Sequence, residues 1–84
     1  MDKRDRFAVN LRRARDTAGI SQEELAERIE VHRTEISLLE RGGREPRLGT
    51  MVKLAVALGI TAEALCAGIA WDPKARDYKI SEPG

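Results

Sequence analysis

QEELAERIEVHRTEISLLER, running from Gln22 to Arg41, carries two short apolar stripes in helical register. Leu25, Ala26 and Ile29 form the first, and Ile36 and Leu39, three residues apart, form the second. Between them, Glu30-Val31-His32 leaves room only for a tight turn. Ser21, with Glu24 three residues on, makes a capping-box pattern, and the acidic first turn suits the helix dipole. Two short helices should therefore meet with Ala26 at their closest approach and Val31 plugging the turn. Ile36 and Leu39 anchor the second helix, which leaves Arg33, Thr34, Ser37 and Arg41 on or near its open side. A helix held from behind, with a polar outer face, is shaped to enter a major groove.

Outward from this stretch, Phe7, Leu11, Ala14 and Ala18 recur at helical spacing, and Gly19 is placed to end that helix. Arg41-Gly42-Gly43-Arg44-Glu45-Pro46 predicts a stop and a loop. Met51, Leu54, Ala55 and Leu58 predict a fourth helix closed by Gly59. Thr61 caps a fifth, expected to run through Leu65 and Cys66 towards Ile69 and to end near Gly68. Cys66 is expected on its apolar face as a small buried hydrophobe. In the tail, Ile69 and Trp71 alternate with polar residues before Pro73, and Tyr78 and Ile80 after it. Ile69 and Trp71 are expected on one face and Tyr78 and Ile80 on another, in a short β-hairpin or an extended arm. A hairpin alone is marginal and must pack on something. Glu82-Pro83-Gly84 should fray.

An 84-residue chain fits one domain near the lower limit of self-sufficient stability, which favours help from a second copy. We divide it into residues 1–69, the helical domain, and 70–84, an arm suited to dimerisation. The single cysteine excludes an internal disulfide or a cysteine-rich zinc site and fits a cytoplasmic protein. No signal core or membrane-length apolar run is evident. Net charge is only +1, but residues 1–19 hold six basic and three acidic side chains, whereas residues 20–30 hold one and four. A small total can thus hide a basic face beside an acidic one.

Leu11-Arg12 to Gly19, Ser21-Gln22-Glu23-Glu24-Leu25-Ala26, Val31 to Glu40-Arg41-Gly42, Pro46, and Leu54-Ala55 to Leu58-Gly59 together resemble the lambda-repressor-like (Cro-type, xenobiotic-response-element) helix-turn-helix family. The resemblance covers about residues 6–67. It implies an all-α, compact five-helix bundle, to which the C-terminal hairpin or arm is added. It also implies binding of double-stranded DNA through the third helix, usually as a homodimer. Carried over by position, Gln22 would bond a phosphate, and Arg33, Thr34, Ser37 and Leu38 would form the reading surface. Arg33 can pair with guanine. Thr34 and Ser37 can meet base edges or phosphate, and Leu38 either a thymine methyl or the core. Arg41, Arg44 and Arg47 would hold the DNA backbone. Arg15 and Glu40 match a structural ion pair. Two positions depart from the family: Glu30 stands where glycine is common, and His32 where a serine-like cap is usual. Glu30 must avoid the left-handed region or accept strain, and His32 should cap poorly.

The expected function is a sequence-specific transcription regulator that binds a roughly palindromic operator as a homodimer. The alternative is an antitoxin-like or adaptor module that uses the C-terminal arm. Leu65, Ile69, Trp71, Tyr78 and Ile80 are the candidate dimer contacts. The run Glu23, Glu24, Glu27 and Glu30 reads as capping and a solvated face, because no nucleophile or metal set accompanies it. No catalytic residue, metal, cofactor, membrane or small-molecule ligand is expected.

Overall fold

The computed structural model describes all 84 residues: five helices followed by one antiparallel hairpin. α1 (Lys3–Ala18) starts in a capping box, in which the Asp5 N–H donates to Asp2 Oδ1 at 3.0 Å and Asp5 Oδ2 accepts from the Asp2 N–H. It ends at Gly19 in the left-handed conformation. Its buried face is Phe7, Ala8 and Leu11; Ala14 is half-buried and Ala18 exposed. α2 (Gln22–Arg28) carries the capping box expected of Ser21 and Glu24.

The turn into α3 (Arg33–Glu40) settles both departures noted above. Glu30 takes φ 59°, so the strain is accepted rather than avoided. The Val31 N–H then donates to the Ala26 carbonyl at 3.0 Å, which closes the turn. His32 caps after all: its Nδ1 accepts the Thr34 N–H at 3.1 Å. A ring nitrogen two atoms out from Cβ stands in here for a serine oxygen.

α4 (Leu48–Leu58) closes at a left-handed Gly59, and Thr61 caps α5 (Ala62–Leu65). α5 is one turn long, shorter than expected. Cys66 is its C-cap and is exposed, which corrects the reading of a buried thiol. Gly68, at φ 84°, then turns the chain into β1 (Ile69–Asp72), which pairs with β2 (Asp77–Ile80). Ile69 is therefore a strand residue, and β1 begins one residue before the arm boundary drawn from the sequence.

The hairpin register is Ile69↔Ile80, Ala70↔Lys79, Trp71↔Tyr78 and Asp72↔Asp77. Directly opposed residues share a face. Ile69, Trp71, Tyr78 and Ile80 thus lie on one face, not two as the sequence reading had it. The connecting loop is organised by Asp72, whose carboxylate accepts the Lys74 N–H at 2.9 Å and the Ala75 N–H at 3.3 Å.

Leu11, Leu25, Ile36, Leu39, Leu54 and Leu65 are fully buried, so every helix contributes to one core. Each such side chain contributes about 1.5–3 kcal/mol. The hairpin is tied to α1 at its root. Arg6 Nε donates to the Ala67 carbonyl at 3.0 Å, and Asn10 Nδ2 donates to the carbonyls of Leu65 and Ala67 at 2.9 Å each. Gly68 lies flat against the buried Arg6 guanidinium, where an added Cβ would come within 2.4 Å of Nε.

Candidate nucleic-acid interface

α3 is fixed from behind by Ile36, Leu39 and Glu40, all buried. The Glu40 carboxylate accepts two bonds from Arg15, at 2.6 Å from Nε and 3.0 Å from Nη2. Gln22 Nε2 adds a third at 3.1 Å, and Arg15 Nη1 also reaches the Ile20 carbonyl at 3.0 Å. One buried carboxylate therefore joins α1, α2 and α3. The hydrogen bond to Glu40 raises the Arg15 pKa further, so the guanidinium stays charged throughout the working pH range. The bidentate geometry is the strong form of this contact.

The ion pair of Arg15 and Glu40 has the geometry expected from the sequence. Gln22, expected at a phosphate, directs an amide N–H to Glu40. Its second N–H and its carbonyl have no partner within the chain.

On the open side, Arg33 and Thr34 are exposed and Ser37 is half-buried. Leu38 is half-buried and leans on the loop after α3, where a Cβ on Gly43 would come within 3.2 Å of its Cδ2. Arg41 folds back, with Nε donating to the Ser37 carbonyl at 3.3 Å. Arg44, expected at the DNA backbone, is ion-paired with Glu35 within the chain. Arg33, Arg41 and Arg47 take part in none of the ion pairs. Arg47 occupies the N-cap of α4, a helix with no side-chain cap bond and no acidic residue in its first turn. Its opening N–H groups thus have no side-chain acceptor and no neighbouring carboxylate, an arrangement that favours an anion. That feature went unread in the sequence; the signal was the lack of Ser, Thr, Asp or Asn at position 47.

The dimer candidates separate. Leu65 is fully buried in the core, so it cannot meet a partner at the surface. Ile69 and Ile80 are half-buried. Trp71 and Tyr78 are 56% and 47% exposed and pack edge to face at 5.3 Å. Lys3 Nζ lies 4.3 Å above the Tyr78 ring. Sequence reasoning missed Leu48, Val52 and Val56, which are 82%, 54% and 77% exposed along the outer side of α4. Their i, i+4, i+8 spacing was the available signal. No group of three or more His, Cys, Asp or Glu side chains is placed to hold a metal ion, and no helix is long and apolar enough to cross a membrane.

Residues 11–65 match the family described as helix-turn-helix (HTH_3). The chain is 40% identical over 65 residues to the control protein C.SmaI of Serratia marcescens, covering 77% of each chain. Among solved structures it is similar to the restriction-modification controller protein C.AhdI from Aeromonas hydrophila, with a TM-score of 0.71 and 37% identity. That match covers 74% of this chain and 94% of the controller. The hypothetical transcription factor NHTF from Neisseria matches with a TM-score of 0.73 and 37% identity, covering 89% of this chain and 82% of that one.

Proposed function

Because the chain belongs to the helix-turn-helix family, and so is a DNA-binding transcription regulator rather than an enzyme, we propose that it reads a roughly palindromic operator as a homodimer through α3. One observation carries this reading. α3 is pinned through Glu40 to two other helices, while Arg33, Thr34 and Ser37 on its other side have no side-chain partner in the chain. In this reading Arg33 pairs with a guanine, and Thr34 and Ser37 meet neighbouring base edges. Leu38 touches a thymine methyl at the edge of the contact. Arg41 and Arg47 hold phosphates on either side, and the uncapped start of α4 adds backbone donors beside Arg47. Gln22 reaches a phosphate with its remaining N–H, and Arg44 exchanges Glu35 for the DNA backbone.

Likeness to C.SmaI and C.AhdI favours a cytoplasmic controller of a restriction–modification system, acting by occupying or recruiting at a promoter. The protein-interaction alternative keeps one observation in its favour, the exposed Trp71–Tyr78 pair outside the family segment. Selection of bound sequences from a random duplex pool, with stoichiometry measured on the winning site, tests the proposal. A two-fold symmetric site bound by two chains is the expected outcome. Recovery of no preferred sequence would refute it.

A further inference from the structure

We propose that the outer face of α4 is where two copies of this chain associate. Leu48, Val52 and Val56 pack across a two-fold axis there, and Glu30 of each copy meets the partner's Arg28. This rests on the homodimer reading above and assigns its surface.

α4 buries Leu54, Ala55 and Leu58 on one side. Leu48, Val52 and Val56 form a second row on its outer side, about 12 Å long at 1.5 Å per residue. Single exposed apolar side chains are ordinary, but an unbroken row over about two turns marks an interaction surface. The row forms one side of an open trough of about 390 Å³, lined by Ile29, Val52, Val56 and Ala57 together with Arg28, Glu30 and Lys53. A row next to a trough can pack into the same pair of features on a second copy.

The rim favours a second copy over another partner. Arg28 and Glu30 take part in none of the ion pairs within the chain. In a two-fold contact residue i meets j while j meets i, so a rim carrying both signs complements itself. A partner of one sign would leave half of these charges opposed. Glu30 is also held at φ 59°, where glycine would sit without strain but would present no carboxylate. Strain of this kind persists where the surrounding fold fixes the backbone, and here it keeps a carboxylate on the rim. The row is short against the roughly 800 Å² per partner of a stable complex. The contact is therefore weak in solution and is reinforced when one duplex holds both copies.

The test is sedimentation over a range of concentrations, with and without a two-site duplex. The chains compared are the wild type, Val52→Glu, Val56→Glu, Glu30→Gly, Arg28→Glu, the double swap Arg28→Glu/Glu30→Arg, and Trp71→Ala. Both valines are exposed, so the glutamate variants should keep the wild-type circular dichroism. They should raise the dimer Kd at least about tenfold, because each would place an unpaired charge in the contact. Glu30→Gly should raise Tm by about 4 °C in the monomeric Val56→Glu background, through loss of strain. In the otherwise wild-type chain it should weaken the dimer; a purely structural Glu30 would raise Tm and leave association unchanged, which overturns the rim pairing. Arg28→Glu should weaken association and the double swap should restore it. If both valine variants dimerise like the wild type, the α4 face is refuted. Dissociation of Trp71→Ala alone would then move the contact to the hairpin and leave the homodimer reading standing. A wild type that stays monomeric even on the duplex refutes both.

Discussion

Arg33 and Arg47 are both exposed cations without partners, yet they stand in different places and should behave differently. Arg33 projects from the first turn of α3, and Arg47 from the N-cap of α4. Arg33→Ala is expected to cost about 1–3 kcal/mol of specific binding and to relax the base preference at one position of the operator. Arg47→Ala is expected to weaken all sequences alike and to flatten the salt dependence. Competition titrations against random duplex separate the two, and equal losses for Arg33→Ala would remove its reading role. Gly68 offers a different test, of stability. At φ 84°, with the Arg6 guanidinium against it, Gly68→Ala meets both backbone strain and a clash. A loss of about 2 kcal/mol, visible as a lower Tm, is expected.

At the scale of the element, the recognition helix owes its placement to Glu40. Replacing it by alanine would leave Arg15 partly buried without its partner, at a cost of about 3–5 kcal/mol. Its Tm should fall well below that of an exposed substitution such as Glu63→Ala. Arg15 has a raised pKa, so its contribution is lost only as pH rises through that raised value and gives no pH dependence near neutrality. Asp2 behaves in the opposite sense. The Asp5 N–H, chiefly, holds its carboxyl below the ordinary value. The α1 cap should therefore be intact above the usual aspartate range and be lost as pH falls through the lowered value. Carboxyl carbon NMR should show Asp2 titrating below 3.8.

Most of the elements were legible in the sequence because their ends are written in side chains. Ser21 and Thr61 cap, Gly19 and Gly59 stop, and Pro46 marks a loop. The end of α5 was not legible, because no capping residue sets it. It stops where Gly68 turns the chain and Ile69 finds Ile80, a contact eleven residues away. The phase of Cys66 and the shared face of Trp71 and Tyr78 went astray for that one reason. In the candidate site, exposed positions on α3 could be read from periodicity. The pairing of Arg44 with Glu35 could not, since it depends on how a nine-residue excursion folds back.

For the molecule as a whole, the bundle and the hairpin are separable in sequence. The family segment ends at residue 65, and β1 starts at Ile69. A chain ending at residue 69 is expected to keep its DNA preference while Tm falls by roughly 5 °C, for about 1 kcal/mol of lost docking. Loss of all DNA binding in that truncation would favour the interaction-module reading instead. The modest net charge should also show in solution. With Arg41, Arg44 and Arg47 neutralising phosphates in each of two chains, log K against log salt should fall with a slope of about −5. Cys66, exposed at the joint between bundle and hairpin, makes the assembly measurable without further engineering. It is the only thiol in the chain, so a nitroxide attached there labels every protomer once. Two protomers then yield a single spin–spin distance. Its value, free and on the operator, turns the choice between an α4 contact and a hairpin contact into a reading on a molecular ruler.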